Sequence, residues 1–84
     1  MIRAELREQD GQRCLHAMLD GGHVFEHVFA EWWSMKTVDA VLRDDRLCRL
    51  LQLVQRGPGN NEMAAIVSCA IQDLTIDVAG RTTP

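Results

Sequence analysis

The stretch AELREQDGQRCLHA, residues 4–17, determines the N-terminal part of the fold. Asp10-Gly11 is typical of a two-residue type I′ turn, in which both central residues need a positive φ. With this loop, the apolar residues face each other on one side of the ribbon, because side chains alternate along a strand. The facing pairs are Leu6 with Leu15, Ala4 with Ala17, and Ile2 with Leu19. The pattern predicts a β-hairpin over residues 2–19 whose apolar face must be covered by other elements.

Residues 23–33, HVFEHVFAEWW, carry all four aromatic Phe and Trp side chains of the chain. At about 100° per residue their apolar side chains fall within half of a helical wheel. That set is Val24, Phe25, Val28, Phe29, Trp32 and Trp33. The pattern predicts an amphipathic helix here, and a third β-strand is the alternative.

The C-terminal half reads as helical in three segments. The apolar stripe changes direction at Asp44-Asp45, and Asp is a good N-cap, so helices are predicted near 37–43 and 45–56. Gly57-Pro58-Gly59 is predicted to end the second helix, and Asn60-Asn61 to cap a third. The apolar stripe of the third helix is Met63, Ile66, Val67, Ala70, Ile71 and Leu74. Residues 74–78 alternate and are rich in β-formers, so a short strand there is the alternative.

The predicted fold is therefore α+β, with an N-terminal β-hairpin packed against three or four short helices. Residues 1–79 are expected to form one compact domain, and residues 80–84 a polar C-terminal tail. A chain of 84 residues supports a single core and a thin stability margin.

Composition narrows the function classes. The formal net charge of −3 gives no overall basic character for nucleic-acid binding. No apolar run reaches the roughly 18 residues that a membrane span needs. Cys14, Cys48 and Cys69 are odd in number and far apart, which fits neither a disulfide framework nor a zinc knuckle. These features predict a cytoplasmic protein without a cofactor.

His23 to His27 spell H-x-x-E-H, a pattern of one zinc-peptidase class. On a helix, His23, His27 and Glu31 would lie one turn apart and could form a metal-ligand row. The chain is too small for the cleft of such a peptidase, and short motifs of this kind arise often by chance. The residues are more simply read as the solvated face of an amphipathic helix, and the chain is predicted not to be an enzyme.

Two candidate binding surfaces remain. The aromatic side chains Phe25, Phe29, Trp32 and Trp33 predict a protein interface, because tryptophan is a preferred interface anchor. Arg43, Arg46, Arg49 and Arg56 form the basic stretch that would serve nucleic-acid binding, although interleaved aspartates weaken its field. The sequence thus predicts a small acidic, non-catalytic protein-binding module, an adaptor, regulator or inhibitor, that forms a homodimer through its apolar tryptophan patch. Nucleic-acid binding is the alternative, and metal binding is a weaker one.

Overall fold

A computed structural model describes residues 2–56 and 61–82 of the chain. Within these ranges a three-stranded antiparallel sheet, in the order β1-β2-β3, is followed by three helices. The strands are β1 (Arg3–Gln9), β2 (Gln12–Met18) and β3 (Val24–Phe29), and the helices are α1 (Met35–Arg43), α2 (Asp45–Arg56) and α3 (Asn61–Thr82). The predicted α+β architecture is confirmed, and the sheet has one strand more than the predicted hairpin.

The N-terminal hairpin forms in the predicted register. Ala4 pairs with Ala17 and Leu6 with Leu15. Asp10 has a φ of 53° and Gly11 a φ of 78°, as a type I′ turn requires. Because the loop has two residues, the apolar face of the ribbon follows directly from the position of this turn.

The prediction of a helix over residues 23–33 is wrong, and the alternative, a third strand, is what the chain forms. Phe25 lies opposite Ala17 and Phe29 opposite Arg13 in the β2–β3 ladder. A spacing of four residues places Phe25 and Phe29 on one side of a helix and equally on one side of a strand, so it could not discriminate. Pairing with β2 is favoured because it satisfies the backbone groups along the second edge of that strand.

The two predicted short helices are confirmed. Asp44 separates them, and its Oδ1 accepts a hydrogen bond of 2.9 Å from the backbone N–H of Arg46, in the first turn of α2. α1 begins after Ser34, whose hydroxyl accepts from the backbone N–H of Thr37 at 3.2 Å. The predicted terminator Gly57-Pro58-Gly59 and the predicted cap Asn60 lie outside the described residues.

α3 continues through Thr82, so the alternative of a strand at residues 74–78 is wrong. Thr75 is fully buried inside this helix, and its hydroxyl donates to the carbonyl of Ile71 at 2.7 Å. The first three residues of the predicted tail, 80–82, lie in the last turn of the helix. Ile66, placed in the apolar stripe by the sequence, is instead 61% exposed.

The core lies between one face of the sheet and the three helices. β2 and β3 contribute Leu15, Ala17, Phe25 and Phe29, and the helices contribute Val38, Val41, Leu47, Leu51, Val67, Ile71, Leu74 and Val78. The buried apolar residues of α3, from Val67 to Val78, recur at spacings of four, three and four, the period of a helix face that packs on a core. This arrangement leaves the opposite face of the sheet and the outer face of α3 to solvent.

α3 also has the length and apolar composition of a membrane-crossing helix over Glu62–Arg81. Length and composition are weak support for a span, because a core helix of a folded domain shares them. Asp73 and Asp77 fall inside this segment, and carboxylates are costly at the depth of a bilayer.

Candidate protein-binding site

The loop that joins β3 to α1, residues 30–34, carries both tryptophans. Trp32 is 73% exposed, the largest exposed fraction of any large hydrophobic side chain in the described residues. Trp33 is half-buried and packs against the core, with its ring centroid 6.4 Å from that of Trp32. One tryptophan therefore anchors the loop, and the other is displayed to solvent.

The predicted interface residues divide into two groups. Phe25 and Phe29 are 3% and 2% exposed and belong to the core, so no partner can reach them in the folded domain. Trp32, with the neighbouring edge of Trp33, is the part that a partner can contact. The division follows from the strand, because Phe25 and Phe29 share the face that the helices cover.

Arg13 holds this loop in place. Its guanidinium donates to the backbone carbonyl of Trp33 and, at 3.3 Å, to that of Glu31. The same group lies 3.8 Å from the sulfur of Met35, at the start of α1. A backbone hydrogen bond from Trp33 to the carbonyl of Ala30, 3.2 Å long, closes the turn. The backbone that carries Trp32 is thus tied to the sheet on both sides of the side chain.

This role of Arg13 was not predicted from the sequence, although the hairpin register contains a signal for it. Arg13 has the same strand parity as Leu15 and Ala17, so it starts the face that the helices cover. An arginine at the end of an otherwise apolar row needs polar partners, and backbone carbonyls of an adjacent loop are suitable acceptors.

A cleft of about 230 Å³ lies beside the loop, and His27, Trp33, Gln72 and Thr75 are among the residues that line it. His27 is half-buried, and its ring meets that of Phe29 edge-on at 5.1 Å. Burial lowers the pKa of His27 below its usual 6.5, so the imidazole favours the neutral form. The hydroxyl of Thr75 is already bonded within its helix, and the cleft brings no nucleophile and base together.

The predicted metal row is not assembled. His23 is exposed just before β3, His27 lies half-buried within the strand, and Glu31 is exposed in the loop. Four residues of a strand span about 13 Å, whereas one helical turn would have brought these side chains together. Among residues 2–56 and 61–82, no group of three or more His, Cys, Asp or Glu side chains has the proximity of a metal site.

Of the four arginines predicted to bind nucleic acid, Arg46 is engaged in ion pairs. Arg46 contacts Asp44 at 2.9 Å and Asp77 at 3.0 Å. Hydrogen bonds from Arg46 hold the pKa of Asp44 at about 2 and in turn raise the pKa of Arg46. Arg43, Arg49 and Arg56 are exposed.

Arg46 and Arg49 line a cleft of about 400 Å³ between α2 and α3, and Asp73 and Asp77 line the same cleft. These carboxylates would repel a phosphate at the point where the arginines converge, so the geometry favours internal pairing over nucleic-acid contact.

The three cysteines lie on different elements of the fold, β2, α2 and α3. Cys14 is buried in the sheet, and burial, followed by the negative charge of Glu26, raises the pKa of its thiol. Cys48 and Cys69 are exposed, and none of the three is in a disulfide. A thiol with a raised pKa is a poor nucleophile, so Cys14 behaves as a small apolar residue.

Comparison of the chain with known protein families, curated proteins and solved structures returned no match.

Proposed function

We propose that this protein is a non-catalytic protein-binding module whose contact surface is centred on Trp32. The observation that carries the proposal is a tryptophan 73% exposed on a loop that Arg13 ties to the sheet. Tryptophan is enriched among the few residues that supply most of the energy of protein interfaces. An adaptor, regulator or inhibitor of a larger protein is the class of activity that this surface supports.

Energetics favour a contact role for Trp32. Because Trp32 is 73% exposed, its complete burial removes about 110–180 Å² of the roughly 150–250 Å² that an aromatic side chain buries. At about 25 cal/mol per Å² this is worth roughly 3–5 kcal/mol before the costs of association. Because the loop backbone is tied at Trp33 and Glu31, little of this gain is needed to order it on binding. A free loop carrying the same side chain would lose more conformational entropy.

The residues around Trp32 combine apolar and charged side chains, as the residues of protein interfaces do. Met35, 46% exposed, begins the next helix, and its sulfur is linked to the loop through Arg13. Glu31 and Lys36 flank the tryptophans in sequence, and both are exposed. An apolar centre with charged groups at its border is the usual anatomy of a protein contact patch.

The exposed thiols of Cys48 and Cys69 support a reducing compartment, where such cysteines persist without forming disulfides. We propose that the binding activity is cytoplasmic, as the sequence predicts.

The experiment is a comparison of affinity purifications from the organism that encodes the protein. The bait is the wild type, Trp32→Ala or Leu53→Ala. Leu53 is a matched control, because it is 46% exposed on α2, away from the loop. We expect a specific protein to be retained by the wild type and by Leu53→Ala and to be lost with Trp32→Ala. Equal retention by all three folded baits would contradict the proposal.

A further inference from the structure

β1 is an open edge of the sheet. It pairs only with β2, and its extensive contacts within the described residues are with that strand. Every side chain of β1 is exposed except that of Leu6, which is half-buried. An exposed seven-residue edge is a template for pairing with another strand unless its charges oppose it.

The hairpin geometry determines which backbone groups point outward from this edge. In a two-residue hairpin the residues that flank the loop, here Gln9 and Gln12, form a hydrogen-bonded pair, and such pairs alternate along the ladder. Arg3, Glu5 and Arg7 therefore bond toward β2. The outward-pointing N–H and C=O groups belong to Ala4, Leu6 and Glu8.

We infer that two copies of this chain associate through antiparallel pairing of their β1 strands, with Leu6 opposite Leu6 of the second copy. This register pairs all seven residues of β1 and joins outward-pointing groups to outward-pointing groups. It sets Glu5 of each copy opposite Arg7 of the other, so the dimer contains two complementary charge pairs. Opposite charges facing across antiparallel strands are stabilising.

Charge pattern discriminates against the adjacent registers. A shift of the pairing by one allowed step in one direction opposes Glu5 to Glu5, and in the other direction Arg7 to Arg7. Both are like-charge contacts at the two-fold axis, which are destabilising. On β3, the second edge of the sheet, the symmetric pairing centred on the outward-pointing Glu26 opposes this carboxylate to itself, so that register is disfavoured.

The inferred dimer is a six-stranded sheet with the helices of both copies on one side, since a two-fold axis normal to the sheet preserves its faces. Leu6, half-buried in the monomer, gains cover from its counterpart. Trp32 follows β3, the edge strand opposite β1. Self-association through β1 and the binding proposed for Trp32 therefore use separate surfaces.

A charge-exchange experiment tests this dimer. In Glu5→Arg the strand presents arginine at both positions, and in Arg7→Glu it presents glutamate at both. We expect each variant alone to self-associate about five- to thirtyfold more weakly than the wild type, because two attractive pairs become repulsive. An equimolar mixture should regain the dimer, since each arginine then faces a glutamate. The measurement is solution mass across a concentration series, by sedimentation or light scattering.

The mixture distinguishes the contact between two copies from the ion pair within one strand. Glu5 and Arg7 also form an ion pair within one strand, at 2.6 Å, and this internal pair is absent from both variants. Recovery on mixing can therefore come only from pairing between chains. A wild type that stays monomeric at its highest soluble concentration, variants that dimerise like the wild type, or a mixture that stays monomeric would each overturn the inference.

Cross-linking tests the register. In a chain carrying Cys48→Ser and Cys69→Ser, Leu6→Cys should form a disulfide with its counterpart in the second copy. The Cα atoms of a hydrogen-bonded pair on antiparallel strands are about 5.5 Å apart, which a disulfide can span. Ala4→Cys is the matched control and should remain a thiol. A disulfide through position 4 but not position 6 would show a shorter pairing centred on Ala4 and would overturn the proposed register. The two proposals can be tested separately. A Trp32→Ala variant should lose its partner protein and should still form the β1 dimer.

Discussion

Replacing Arg13 by Ala should loosen the loop that displays Trp32 while leaving the sheet in place. The side chain donates to the carbonyls of Trp33 and Glu31, and neither bond belongs to the β2–β3 ladder. Ladder pairing of residue 13 with Phe29 uses backbone groups that the substitution retains. We therefore expect a local effect centred on residues 30–34.

The magnitude follows from the exposure of the two bonds. A hydrogen bond to a charged donor contributes about 1.5–3 kcal/mol when it is buried. The bond to Trp33 is partly buried and the bond to Glu31 is exposed, so the second contributes little and the sum is about 1–2 kcal/mol. Opening of the loop should become about five- to thirtyfold more frequent, and the Tm should fall by about 4–15 °C.

Amide hydrogen exchange measured by NMR is the appropriate assay, with the N–H of Trp33 as the reporter because it is bonded to Ala30 in the turn. Arg13→Lys should show a smaller increase in exchange, since lysine keeps the charge but lacks the planar fork. Arg49→Ala removes an exposed arginine from α2 and should leave this amide unchanged. Unchanged exchange at Trp33 in Arg13→Ala would show that Arg13 does not hold the loop.

Four further substitutions test separate parts of the structure. Asp44→Ala removes the cap of α2 and the ion pair with Arg46, and should cost about 1–2 kcal/mol by denaturant unfolding. The pKa of Asp44 is lowered from 3.8 to about 2, so its contribution to the stability of the fold is present above pH 3.8 and is lost as the pH falls toward 2. The difference in unfolding free energy between Asp44→Ala and the wild type should therefore become smaller in acid. As the pH falls below 6.5, the wild type should lose stability, because His27 binds a proton more readily in the unfolded chain than in the folded one. His27→Gln should not show this loss. A wild type equally stable on both sides of this pH would contradict the burial of His27. Phe29→Ala should cost about 3–5 kcal/mol whereas Trp32→Ala costs less than about 0.5 kcal/mol, and comparable losses would contradict the assignment of one to the core and the other to the surface.

The hairpin and the two short helices were predictable because local signals define them. A two-residue turn sets the register of every pair in β1 and β2, so one Asp-Gly dipeptide accounts for the ladder. The break at Asp44 was readable because an apolar stripe cannot change direction within one straight helix. Both features depend on residues close together in sequence.

The third strand was not predictable in this way. Phe25 and Phe29 fit a helix and a strand equally well, and the choice depends on the free edge of β2, which lies elsewhere in the chain. The metal row at His23, His27 and Glu31 depended on the helix and is not assembled without it. The role of Arg13 likewise arises only when the loop after β3 folds back onto the start of β2.

We propose that Trp32 is the point at which another protein binds. A photo-reactive phenylalanine derivative can be introduced at the exposed neighbouring position 31, which keeps Trp32 in place, and at position 53 as the control, and activated in cells that encode the protein. We expect a covalent adduct with a distinct protein from position 31 and none from position 53. Absence of any adduct at position 31, or the same set of adducts from both positions, would contradict the proposal.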